Sequence, residues 1–372
     1  MPTGILHARE RNPNRAKREN STKKHGKQIE LLALGALMLI CALLGGCSAK
    51  TSSPVRYEQV FFDVFDTVTT VILYETSETS ANERFDELHA LLQDYHRLYD
   101  IYNAYEGLQN LYSVNQNAGI APVAVDARIL GLVDYARRMD ALTSGRMNIA
   151  MGSVLAIWQS RRDAGQSNPD QAALPPMAQL EAANAHSNLD SIVVDRAAGT
   201  LYLADAETRI DVGAVAKGYA AQQVTEAMEQ SGVTAMLLSV GGNVCSIGAR
   251  PDGALWKVGI QDPYSDGNLC VVAISGQSVV TSGTYERYYM VDGRRYHHII
   301  DPATLMPSTY FDSVTVIAED SALADALTTG LFCMPLSQGQ ALVASLEGVE
   351  ALWVLPDGTQ ASSSGFMAYL AE

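Results

Sequence analysis

Residues 31–46 carry no charged side chain, and this run divides the chain before any element is assigned. Ahead of it, residues 1–30 hold eight Lys/Arg against three Asp/Glu. Beyond it, residues 47–372 hold 18 Lys/Arg against 38 Asp/Glu, a net charge of −20. Sixteen residues make about 24 Å of helix, short of the ~20 residues that span a bilayer comfortably. A basic flank, a short apolar stretch and small residues at its end read as a secretory signal. The globular fold is therefore expected downstream, in a body long enough to bury a sizeable core. So acidic a body is poorly suited to holding nucleic acid by its phosphates, and no nucleic-acid partner is expected.

The run ends at Leu44-Gly45-Gly46-Cys47, which resembles the lipobox of bacterial lipoproteins. The resemblance implies a signal peptide over 1–46, lipidation of Cys47 and a Ser/Thr/Lys-rich tether over 47–56. It also implies a lipid-anchored protein of the cell membrane, facing its extracytoplasmic side. A transmembrane anchor with an incidental cysteine is the alternative. Cys47 standing at the end of the apolar run, followed by the tether, favours the lipoprotein. Cys245, Cys270 and Cys333 then remain, an odd number without CxxC spacing, and are read as free thiols.

The body, 57–372, reads as one α+β unit. Residues 57–74 are rich in β-branched and aromatic side chains and suggest strands with a turn near Asp66. Over 78–101, Phe85, Leu88, Leu92, Tyr95 and Tyr99 fall at helical spacing. A second helix is expected over 126–142, stopped by Thr143-Ser144-Gly145. The Pro-containing stretch 160–188 reads as an irregular surface excursion. From Arg209 onward, Gly-punctuated strands dominate, beginning with RIDVG, with helices at 214–231 and 320–334. Strands joined by tight turns predict mixed or antiparallel sheets with flanking helices.

Four segments place polar residues in apolar surroundings. In Asp211-Val212-Gly213-Ala214-Val215-Ala216-Lys217-Gly218, small residues lead into a helix whose N-terminal N–H groups favour anions, with Lys217 one turn in. A carboxylate capping that helix explains the segment nearly as well. In Ser239-Val240-Gly241-Gly242-Asn243 a plain turn competes with close backbone approach to a ligand. In His297-His298-Ile299-Ile300-Asp301, adjacent histidines on a strand face opposite sides. One is then structural, and the other is available to take a hydroxyl proton near neutral pH. In Ala324-Asp325-Ala326-Leu327-Thr328-Thr329, Asp325 and Thr329 share a helix face and form a sparse oxygen set of the kind Mg²⁺ uses beside phosphates. Thr329 bonding back to its own helix is the alternative.

Taken in order, DVGAVAKG, SVGGN, VGIQDP, TSGTYER with DGRRYHHIIDP, and ADALTT resemble the ApbE family of FAD:protein FMN transferases. The resemblance covers the chain from about Phe61 to its last strand. It implies an ApbE-like fold and a Mg²⁺-dependent transferase. FAD is its substrate, its FMN part goes to a Thr or Ser of an acceptor protein, and AMP leaves. The acceptor implied is a flavoprotein of a membrane electron-transfer system. By position, the resemblance places Asp211, Lys217, Gly241, Gly242 and Ile299 at FAD. It places Ala214, Asp325 and Thr329 at the metal, and His298 as the base. Phe65, Met147, Asn148 and Ile149 fall on two further segments beside the flavin. There the chain departs from the usual pattern, with Phe65-Asp66-Thr67 in place of Met-Gly-Thr and Asn148 in place of Asp. Thr328 falls where some members carry a second acidic ligand. An exported FAD-binding lipoprotein and a Mg²⁺-dependent FAD pyrophosphatase share the same pocket residues and stay open as alternatives. A two-lobed solute-binding protein fits the turn-rich strands poorly.

Overall fold

The computed structural model describes residues 53–371, so residues 31–46 and Cys47 lie outside the described residues. The first two strands, β1 (Val55–Val64) and β2 (Thr67–Glu75), form the hairpin expected around Asp66. Helix α1 (Glu78–Tyr99) follows, capped by Ser77, whose hydroxyl accepts from Ser80 N–H. It buries the stripe read from its spacing: Phe85, Leu88, Leu92, Tyr95 and Tyr99. Next come α2 (Leu111–Gln116), the two-residue β3 (Val123–Ala124) and α3 (Ala127–Leu142), which Asp126 caps. The stretch read as irregular is partly helical: α4 (Gly152–Ser167) runs into it and α5 (Met177–Asn184) starts just after its prolines. Pro176 stands at the α5 N-cap, where a missing N–H costs nothing.

A tight hairpin follows, β4 (Ile192–Asp195) with β5 (Thr200–Leu203). RIDVG is not a strand. Arg209 makes a single parallel bridge to Met151, and Asp211 N–H donates to Ile149 O at 2.9 Å. Helix α6 (Ala216–Gln230) then leads to β6 (Met236–Val240) and β7 (Asn243–Ile247). The hairpin β8 (Trp256–Gln261) and β9 (Asn268–Ile274) precedes β10 (Ser278–Gly283). A short hairpin, β11 (Tyr288–Val291) with β12 (Arg294–His297), is followed by β13 (Ser313–Ala318). The chain closes with α7 (Ser321–Phe332), α8 (Leu336–Ala344), β14 (Glu350–Val354) and β15 (Gln360–Ser362).

Eight strands form one antiparallel sheet in the order β1-β2-β6-β7-β10-β13-β14-β15. Alternation sends successive side chains to opposite faces. Val71, Leu73, Met236, Leu238 and Val240 enter the core shared with α1, α3 and α6. Ile72, Tyr74, Leu237 and Val244 pack on the other face against Trp256, Val258 and Val272 of the β8–β9 hairpin. The sheet is thus covered on both sides, which is why β13 is buried along its whole length. Helix α7 packs on the same side as α6, around Val314, Val316 and Phe332. A smaller cluster around Trp158, Tyr289 and Ile300 joins α4 to the β11–β12 hairpin. No described helix is long and apolar enough to cross a membrane. Cys245, Cys270 and Cys333 are free, as read.

Candidate functional site

The site is built on the seam between α6 and α7. Gly218 N–H donates to Asp325 Oδ2 at 2.8 Å, and Ser321 N–H at the start of α7 donates to Gln222 Oε1 at 2.8 Å. The two helices therefore run antiparallel in a defined register. Only glycine fits at 218. A Cβ there would stand 2.5 Å from the Ser321 carbonyl oxygen and well inside contact with Asp325 Cβ. Val215 is the N-cap of α6 and offers no side-chain cap, so Asp325 supplies an oxygen to the third helical N–H from the neighbouring helix. Asp211 does not cap the helix. Its carboxylate accepts from Gly213 N–H at 2.8 Å and holds the preceding turn.

Asp325 is 4% exposed, and burial pushes its carboxyl up. Lys217, the Gly218 N–H and the Asn243 side chain oppose that rise. Asn243 is buried and its Nδ2 has no well-formed hydrogen bond, so a polar group stands ready beside the carboxylate. Thr328, not Thr329, bonds back to the helix, donating to Asp325 O at 2.7 Å and accepting from Ser282 Oγ at 2.9 Å. The Thr329 hydroxyl makes no hydrogen bond among the described residues. No three acidic, His or Cys side chains converge among the described residues. A cation here would be held by one carboxylate and neutral oxygens, with its ligand's phosphates completing the shell.

The two histidines separate as read, although only His297 lies in β12. His297 is buried; its Nε2–H donates to Ser308 O at 2.7 Å and its Nδ1 accepts from Ile299 N–H at 3.2 Å. Both ring nitrogens are consumed in structure. His298 follows the strand and is held by its own N–H to Arg287 O at 3.0 Å, and its Nδ1 is buried without a partner. Burial first, then Arg287, His297, Arg162 and Lys217, push His298 down to about 3. Burial raises the Asp211 carboxyl, and the Gly213 N–H and the same two arginines only partly oppose that rise. Arg162, Lys217 and Arg287 thus make a positive field around one neutral imidazole. Arg162 lies in the stretch read as an irregular excursion, and Arg287 and Asn243 lie in singled-out motifs without an assigned role.

The remaining candidates sit on two tight turns and one loop. Gly241 (φ 56°) and Gly242 (φ 91°) form the two-residue β6–β7 turn, both in the left-handed region that glycine tolerates. Phe65 (φ 54°) and Asp66 (φ 51°) form the neighbouring β1–β2 turn with no glycine at all. Gly241 N–H donates to Val68 O at 3.0 Å, and a Cβ on Gly241 would meet Thr67 Oγ1 at 2.5 Å, so the turns lie side by side. Asn243, which follows the glycine turn, places its side chain beside Asp325. Met147, Ile149 and Ile299 point into the core. Asn148 is spent on structure: its Oδ1 accepts from Ala150 N–H at 2.7 Å and its Nδ2 donates to Ser187 O at 3.0 Å.

Arg146 reaches across to Asp301, with Nη1–Oδ1 at 2.8 Å and Asp301 3% exposed at its side chain. This pair clamps the 145–149 loop to the segment that carries His298. Arg146→Ala leaves a buried carboxylate short of its partner and is expected to cost about 2 kcal/mol of stability, read from urea denaturation.

The ApbE family model matches residues 65–353. The FAD:protein FMN transferase of Treponema pallidum (strain Nichols) is 31% identical over 345 residues, covering 89% of this chain and 93% of that one. The FAD:protein FMN transferase of Salmonella typhimurium (strain LT2) is 34% identical over 263 residues, 69% of this chain and 73% of that one. The crystal structure of the ApbE protein of Thermotoga maritima matches with a TM-score of 0.74 at 26% identity, covering 86% of this chain and all of that one. The expected α+β fold with antiparallel sheets and flanking helices is the one observed, and the chain belongs to the ApbE family.

Proposed function

We propose that this chain transfers the FMN part of FAD to a Thr or Ser hydroxyl of an acceptor protein, releasing AMP. The observation that carries the reading is the α6–α7 seam. It sets a buried carboxylate, Lys217 and a helix N-terminus without a cap of its own together, with the neutral imidazole of His298 in the field of Lys217. Asp325, the Thr329 hydroxyl and the Ala214 carbonyl are the oxygens that would hold Mg²⁺, which when bound offsets charge on the pyrophosphate. Lys217, Arg162 and Arg287 draw in the anionic nucleotide against the repulsion of an acidic body. His298 takes the acceptor hydroxyl's proton as the new O–P bond forms and the bond to AMP breaks. Its low basicity in the free chain comes from burial and surrounding positive charge, and a bound anion compensates that charge. The Phe65–Asp66 and Gly241–Gly242 turns and Asp211 line the FAD side, and the 147–149 loop and Ile299 support it from the core through their buried side chains. Lipidation at Cys47 would hold the body at the extracytoplasmic face of the cell membrane, beside flavoproteins of a membrane electron-transfer system.

Incubation with FAD, Mg²⁺ and a Thr-containing acceptor domain is expected to add one FMN unit to the acceptor by intact mass. AMP and free FMN with an unmodified acceptor would replace transfer by hydrolysis. His298→Ala is expected to keep FAD affinity and slow transfer by about a hundredfold. Unchanged turnover in that variant removes His298 as the base.

A further inference from the structure

The Phe65–Asp66 turn is an uncomfortable place for its sequence. A two-residue hairpin turn with positive φ at both positions is normally Asn-Gly or Gly-Gly, as its neighbour at 241–242 is. An aromatic residue held there costs about 1 kcal/mol or more and persists only where its surroundings impose it. The surroundings are a chain of hydrogen bonds from α1 and the loop after it. Phe65 N–H donates to His96 Nδ1 at 3.0 Å, and the two rings meet edge to face at 5.7 Å. On the far side of the imidazole, Nε2 faces Tyr105 Oη at 3.4 Å. The single hydroxyl proton of Tyr105 goes to Asp100 Oδ2 at 2.8 Å, so the phenol oxygen accepts from Nε2–H. Asp100 is itself fixed, accepting from the N–H groups of Tyr102 and Asn103 and from Asn103 Nδ2. Both ends of the relay therefore select one neutral tautomer of His96, with its lone pair on Nδ1.

We propose that His96 is a positioning residue for the Phe65–Asp66 turn, and that protonation of His96 releases the turn and weakens FAD binding at that end of the sheet. The cation carries a proton on Nδ1 as well, which sets two donors face to face at Phe65. Tyr105 faces the imidazole, and the charged groups acting on its hydroxyl are Asp100 at the end of α1, Asp66 on the turn and Arg97 beside His96 on the helix. His89, two turns earlier on α1, is engaged by Asp63 on β1 at 2.8 Å. In the ligand-free chain His298 is pushed down to about 3, well below the pH window of the test, and the His96 variants keep His298 unchanged, so any contribution from it is common to all three proteins. The effect on FAD rests on the function proposed above; the link between His96 and the turn does not.

The test is FAD affinity, read by flavin fluorescence, between about pH 7.5 and 5.5. For the wild-type chain, affinity is expected to fall five- to tenfold toward the acid end, about the worth of one backbone hydrogen bond. His96→Asn offers Oδ1 as an acceptor near the Nδ1 position and is expected to give a flat profile near the wild-type neutral value. His96→Leu is expected to be weak at every pH by a similar factor. A wild-type profile in either variant overturns the proposal. In the ligand-free protein, nitrogen NMR is expected to show the Nε2–H tautomer, with the Phe65 amide resonance moving at the His96 midpoint. A Phe65 amide that ignores His96 overturns the link. A Phe65 amide that follows it in a chain without FAD affinity overturns only the functional reading.

Discussion

Asp325→Asn is expected to lower FMN transfer by about a thousandfold while leaving the fold as stable as before or more so. Asparagine keeps an oxygen for the Gly218 N–H at almost the same place, so the α6–α7 register survives. The negative charge goes, and with it the only carboxylate in the proposed metal set. The stability side follows from the sign of the shift. Burial raises the Asp325 carboxyl, so the folded state disfavours its ionised form relative to the unfolded chain. Ionised Asp325 therefore weakens the fold above its unfolded pKa, and that penalty fades as the pH falls and the group takes up a proton. The Asn variant never carries it. Its midpoint in urea is expected to lie above that of wild type near neutrality, and the gap is expected to close in acid. Transfer at the wild-type rate would remove Asp325 from the site, and a loss of stability near neutrality would show that the carboxylate is favourably held.

Gly218→Ala attacks the same seam by bulk instead of charge. The new methyl would press on the Ser321 carbonyl and the Asp325 Cβ, neither of which is the free end of a flexible side chain. The helices must part, at an expected cost of about 3 kcal/mol. A displacement near 1 Å between Asp325 and the turn around Ala214 is expected to cost about a hundredfold in transfer. Gly242→Ala is the control, since a Cβ there meets nothing within 4 Å and only its φ of 91° is strained. It is expected to lose about 1 kcal/mol, the strain alone. Equal losses in the two variants would mean that the seam has no special tightness. Urea denaturation and the acceptor-labelling rate check both.

Much of this was legible because periodicity reports burial. The α1 stripe, the 192–203 hairpin and the strands after 236 follow directly from alternation and spacing. RIDVG misled because its β-branched residues form an extended segment that pairs only through single contacts to 149–152. The 160–188 stretch misled because its prolines sit between two helices, not within one. At the site, the spacing of Asp325 and Thr329 on one helix was readable, whereas the partner that fixes Asp325, Gly218 N–H, is a backbone group 107 residues away. His297 and His298 were distinguishable only as a pair. Which one is spent on structure depends on Ser308 O, which sequence spacing does not reveal. Asn243, Arg162 and Arg287 gain their roles from three-dimensional proximity alone.

Segments around residues 65, 148, 211, 241, 298 and 325 all meet at this end of the sheet through backbone hydrogen bonds and one clamp, Arg146–Asp301. No short peptide from the chain contains more than a fragment of the set. Occupancy of the site and integrity of the body are therefore one equilibrium, and a nucleotide present at a hundred times its dissociation constant would deepen the native well by about 2.7 kcal/mol. The substrate would then double as a guard against unfolding and proteolysis.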